Sequence, residues 1–72
     1  MKDRFLEFVA DVMDVDVSDL SMKTTYKEFG AWDSLMMLNI IMEMEDEYGV
    51  TIPMEKVGEI KTLQDLFDYI KD

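Results

Sequence analysis

The stretch Asp33-Ser34-Leu35-Met36-Met37-Leu38-Asn39-Ile40-Ile41-Met42-Glu43-Met44-Glu45-Asp46-Glu47-Tyr48-Gly49 decides the fold. Asp33 is a helix cap by type, its carboxylate placed to accept the N–H of Leu35 or Met36. Gly49 supplies the stop. Wound at about 100° per residue, the run between them has two apolar faces. Met37, Ile40, Ile41, Met44 and Tyr48 form one, the natural core stripe. Leu35, Leu38 and Met42 form the other, flanked by Asn39, Glu45 and Asp46. A surface helix needs only one apolar stripe. The second stripe means either a helix buried on both sides or an exposed docking patch.

Charge favours the patch. Between Lys27 and Lys56 there is no basic residue, while Glu28, Asp33, Glu43, Glu45, Asp46, Glu47 and Glu55 all fall there. Apolar residues ringed by one sign of charge read as a steering surface for a basic partner. An ordinary solvated face is the plainer alternative.

On the N-terminal side, Phe5, Phe8, Val9 and Val12 have the spacing of one helical face, which predicts a first helix over about residues 2 to 13. Residues 14 to 32 form a long connection with apolar anchors at Val15, Val17, Leu20, Tyr26 and Phe29. A connection of that length in so small a domain is functional or carries short helical turns. On the C-terminal side, Pro53 fits the first turn of a short third helix through Val57, followed by Gly58. Thr62 and Asp65 have capping-box spacing, with Asp in place of the usual Glu. Leu63, Leu66, Phe67 and Ile70 then mark the inner face of a fourth helix. The fold class is all-α: a small four-helix bundle with three longer helices, a short third helix and a long first loop.

Composition narrows the function. Seventy-two residues hold one domain, 1–72, and 49% of them are hydrophobic, enough for a core. Seven basic residues against seventeen acidic leave a net charge of −10. That balance argues against nucleic acid and against an anionic membrane surface as partners. Cys and His are both absent. The sequence therefore has no disulfide, no thiolate or imidazole metal site, and no Ser-His or Cys-His nucleophile pair. A self-contained hydrolase is disfavoured. Asp14, Asp16 and Ser18 have the opening spacing of a calcium loop, but its sixth and twelfth positions hold Asp19 and Thr25 instead of Gly and Glu. No metal site is expected. No segment has the length of a membrane span, and the first residues lack a signal peptide's apolar run. A cytoplasmic setting and a monomer are expected. Eight Met residues are many for this length, and Met is over-used at adaptable binding surfaces.

Against this background, Gly30-Ala31-Trp32-Asp33-Ser34-Leu35, opening an acidic helix, resembles the Asp-Ser-Leu signature of acyl carrier proteins. Tyr48-Gly49-Val50-Thr51-Ile52-Pro53 is similar to the family's exit from that helix, and Thr62-Leu63-Gln64-Asp65-Leu66 to the start of its last helix. The resemblance covers essentially the whole chain. It implies a discrete, non-catalytic carrier with a covalent 4′-phosphopantetheine arm on Ser34. A phosphodiester there would face free backbone N–H groups and the positive end of the helix dipole.

No evident base lies near Ser34, so a phosphopantetheinyl transferase must deliver the arm from coenzyme A. The other implied partners are acyl-transferring and condensing enzymes of fatty-acid or polyketide type, with basic docking surfaces. Asp33 would both cap the helix and contact the modifying enzyme. Leu35, Leu38, Asn39, Met42, Glu45 and Asp46 would bind partners. A hydrophobic cargo could shelter between the helices, with Met37 and Met44 adapting to it. Trp32 packs under the loop or flanks the arm, and packing is the commoner fate of a Trp.

Two features depart from the fatty-acid pattern. That pattern has one residue between Gly and Asp, whereas Ala31 and Trp32 both intervene here. Met36 and Asn39 stand where acids are frequent. The pathway stays open, and an aminoacyl or peptidyl carrier is the alternative within the class. From another class, the rival is an unmodified helical adaptor for a basic partner.

Overall fold

A computed structural model describes residues 2 to 71, and the side chains of residues 3 to 70. Its elements are α1 (Lys2–Met13), a 3-10 turn (Val17–Asp19), α2 (Ser34–Tyr48), a 3-10 helix (Met54–Glu59) and α3 (Leu63–Lys71). Among the described residues no strand forms; Thr25 and Thr62 make one isolated antiparallel bridge.

Among the described residues no polar or charged residue is buried in the core. α1 contributes Phe5, Val9, Ala10 and Met13, and α2 contributes Met37, Ile40, Ile41 and Met44. α3 adds Leu63, Leu66 and Phe67, and Leu20, Trp32, Ile52 and Ile60 close it from the connections. The α1 stripe is rotated from the expected one. Phe5, Val9 and Met13 run down its centre, while Phe8 and Val12 are only half-buried at its edge. Phe8 instead meets Tyr48 of α2 edge-on, with ring centroids 5.3 Å apart and planes at 82°.

The boundaries of α2 follow from its ends. Asp33 is extended and its carboxylate accepts the Met36 N–H at 2.8 Å. Gly49 takes a left-handed conformation (φ 67°), and its N–H closes the last turn onto Glu45 O at 3.0 Å. A side chain at that φ would be strained, which is why Gly ends the helix.

The first connection is pinned to the start of α3. The opening N–H groups of a helix have no partner within it. Here Leu63 N–H donates to Thr24 O at 3.2 Å and Gln64 N–H to Met22 O at 3.0 Å. Asp65 N–H donates to Thr62 Oγ1 at 3.2 Å, while Asp65 Oδ2 accepts from Thr62 N and Lys61 N. The capping box forms with Asp in the Glu role. Of the expected loop anchors, Leu20 is buried and Val15, Tyr26 and Phe29 are half-buried. Val17 is exposed, because the 3-10 turn it opens buries none of its residues and Leu20 makes the core contact just beyond it.

The short third helix also differs from expectation. Pro53 is not in its first turn but stands before it in extended backbone (φ −61°, ψ 141°). The helix is of 3-10 type and runs past Val57 and Gly58 to Glu59, with Lys56 N–H on Pro53 O and Ile60 N–H on Val57 O. None of its residues is buried. Without an apolar stripe to pack, a short segment gains little from α geometry, and 3-10 pieces are common in that role.

Candidate functional site at the N-terminus of α2

Ser34 is the first residue of α2 and its side chain is exposed. The capping work falls to Asp33, so the Ser34 hydroxyl is free of it. The partner of Ser34 Oγ is the Tyr26 hydroxyl, which donates to it across 3.4 Å. The sequence places Tyr26 only as a loop anchor. Its contact with Ser34 is not legible in the sequence, because seven residues of irregular chain separate the two.

Trp32 lies under this arrangement, 2% exposed. Its backbone N–H donates to Phe29 O at 2.9 Å, and its ring meets Tyr26 edge-on, with centroids 5.6 Å apart. Packing, not flanking the surface, is its place. Its indole Nε1 is buried without a partner.

Beside Ser34 opens a groove of about 630 Å³ between α2, the loop at Tyr26 and the segment from Val57 to Lys61. Met37 and Leu38 form its α2 wall, and Val57 and Ile60 face them. Lys27 and Lys61 also line it. The expectation of two adaptable methionines needs correction here. Met37 lines the groove, but Met44 lies two turns further along α2 and is fully buried in the core.

The second stripe of α2 faces out. Leu35 is 72% exposed, Met42 65% and Leu38 40%. The reading of α2 as buried on both sides is thereby excluded. Asn39, Glu45 and Asp46 are exposed as well. Asn39 belongs to a different flank from Leu38. It lines a shallow polar depression between α1 and α2 with Asp11, Glu43 and Glu47, whereas Leu38 borders the groove beside Ser34. Among the described residues the one ion pair is Lys56 with Glu59, at 3.8 Å on the surface. Among the described residues no ion pair engages an acid of α2. No group of three or more acidic side chains among the described residues is arranged to hold a metal ion.

Comparison with known proteins fits this geometry. Residues 3–70 match the phosphopantetheine attachment site family. The chain belongs to the acyl carrier protein family. It is 34% identical over 64 residues to the acyl carrier protein of Rubrobacter xylanophilus, covering 89% of this chain and 79% of that protein. With the acyl carrier protein of Thermosynechococcus vestitus it shares 38% over the same length and coverage. With that of Rickettsia bellii it shares 31% over 72 residues, covering all of this chain and 84% of the relative.

Membership makes the chain a carrier, a generally non-catalytic class, with a covalent 4′-phosphopantetheine as its prosthetic group. The unmodified adaptor is set aside. The N-terminus of α2 fits such a group: an exposed hydroxyl, first-turn N–H groups and an apolar groove lie together. Among the described residues no helix is long and apolar enough to cross a membrane.

Proposed function

We propose that residues 1–72 act as a single carrier domain that holds acyl groups as thioesters on a 4′-phosphopantetheine arm joined to Ser34. The observation that carries this reading is the exposed Ser34 hydroxyl at the mouth of the groove, on the first residue of α2. Ser18 and Ser21 lack that setting. Ser18 lies in the 3-10 turn, and Ser21 Oγ is engaged by the Lys23 N–H at 3.1 Å. When bound, the group supplies the thiol that a chain without Cys lacks.

The chain's own residues do the rest. Asp33 fixes the first turn, so Ser34 is presented on a rigid element. The dipole of α2 and its first N–H groups favour a negative linkage there. With no His or Cys in the sequence, Ser34 has no neighbouring base of the usual kind, and activation must come from a phosphopantetheinyl transferase. Asp33 is in addition a contact for that enzyme. Leu35, Leu38 and Met42 supply apolar contact to partners with basic docking surfaces. Asn39, Glu45 and Asp46 flank that stripe, and the two acids steer the encounter. The cargo lies along Met37, Val57 and Ile60 in the groove. Acyl-transferring and condensing enzymes of fatty-acid or polyketide type, in the cytoplasm, are the partners this reading assigns.

The test is direct. The chain is incubated with a phosphopantetheinyl transferase and coenzyme A, then its intact mass is measured. A gain of one phosphopantetheinyl group is expected, and an unchanged mass with transferases of several types would contradict the reading.

A further inference from the structure

Tyr26 is held at several points. Its backbone N–H donates to Lys61 O at 2.8 Å, and its neighbour Thr25 bridges to Thr62. Its ring stands edge-on to the buried Trp32, with planes at 81°. From this anchored position the ring lines the groove and its hydroxyl reaches Ser34 Oγ at 3.4 Å. Structural packing alone accounts for the ring. It does not account for a phenol oxygen aimed at the serine.

The distance is informative. Bonds between hydroxyl oxygens cluster near about 2.8 Å. At 3.4 Å the contact with a neutral serine oxygen is weak and stabilises the unmodified chain little. Charged acceptors draw shorter hydrogen bonds, roughly twice as strong as neutral ones. A phosphodiester on Ser34 would make Oγ its bridging oxygen and place anionic oxygens next to the position the Tyr26 hydroxyl already addresses.

We propose that Tyr26 is a positioning residue for the prosthetic group, its hydroxyl donating to the phosphodiester on Ser34 and holding the base of the arm at the groove mouth. The proposal rests on the assignment of Ser34 as the attachment point. Lys27 and Lys61 also line the groove, so the test changes Tyr26 alone.

Tyr26→Phe removes one oxygen and keeps the ring against Trp32. Wild type and variant are loaded with phosphopantetheine and compared by phosphorus NMR. The variant should melt like wild type and keep its Trp32 emission, yet show a shifted and narrower phosphorus resonance, because the phosphate has lost its restraint. An identical resonance and line width would overturn the proposal. A second measurement needs no variant. In loaded wild type, a proton–phosphorus Overhauser contact is expected from the Tyr26 ring protons beside the hydroxyl, and its absence would equally overturn the proposal. A wild-type chain that takes no arm at Ser34 refutes the attachment assignment itself, and the Tyr26 proposal falls with it. Normal loading with no Tyr26 signature refutes the Tyr26 role alone.

Discussion

Asp33 Oδ1 accepts the Met36 N–H at 2.8 Å, and this single bond separates two jobs that a helix start often gives to one residue. Asp33 caps, and Ser34 is left exposed with its hydroxyl free of the cap. Asp33→Ala should therefore destabilise the domain by about 0.5–2 kcal/mol, with Asp33→Asn much closer to wild type. Urea unfolding followed by circular dichroism measures both. Equal stability of all three chains would show that α2 does not depend on this cap.

The outward stripe of α2 makes a second prediction. Leu38 and Met42 are exposed, so truncation to Ala should leave the melting curve near that of wild type. Their loss should mainly speed dissociation of the modifying enzyme. Charge reversal of Glu45 or Asp46 to Lys should mainly slow association and flatten its salt dependence. Stopped-flow binding separates the rate constants. Equal effects on both rates from both kinds of change would contradict the division between apolar contact and electrostatic steering.

Net charge sets the third. A net −10 on a chain of this size repels itself, and the surface pair of Lys56 with Glu59 offsets little of it. The melting temperature should climb as salt is raised from low ionic strength, and climb further with millimolar Mg²⁺ or Ca²⁺ bound loosely by carboxylates. A flat or falling melting temperature over that range would mean that repulsion does not limit stability.

Alkaline pH offers a fourth. Burial of the Tyr48 ring, helped by the Glu47 carboxylate and opposed by Arg4, raises its phenol above the ordinary value. A raised acid stays protonated longer in the folded chain than in the unfolded one. The stability this gives is complete below the unfolded value near 10 and is lost as pH rises through the folded value. Unfolding free energy should thus fall above about pH 10, and fall less in Tyr48→Phe, which keeps the ring packing on Phe8. Parallel pH profiles for the two chains would refute the assignment.

Much of this molecule was legible in its sequence where a local rule decided the outcome. The cap at Asp33, the stop at Gly49 and the Thr62–Asp65 box are each set by a few neighbouring residues, and each formed as read. The third helix was less legible, since Pro53 suits both the first turn of an α-helix and the extended residue before a 3-10 helix. The two stripes of α2 were visible, but which of them faced water depended on how α1 and α3 pack. A shelter for cargo beside Met37 was expected from the family resemblance alone, while the groove's position beside Ser34 and the contact of Tyr26 with Ser34 were not legible. They depend on the loop being tied to α3 through Met22 and Thr24, and to Lys61 just before α3 through the Tyr26 N–H, pairings that no periodicity signals.

The central claim is that Ser34 carries the arm. Its most direct test is the intact mass of wild type and Ser34→Ala after identical incubation with transferase and coenzyme A. Ser34 is exposed and does not cap α2, so the variant should fold as wild type does. Wild type should gain one phosphopantetheinyl group and Ser34→Ala none, while a folded Ser34→Ala that is modified as fully as wild type would contradict the account.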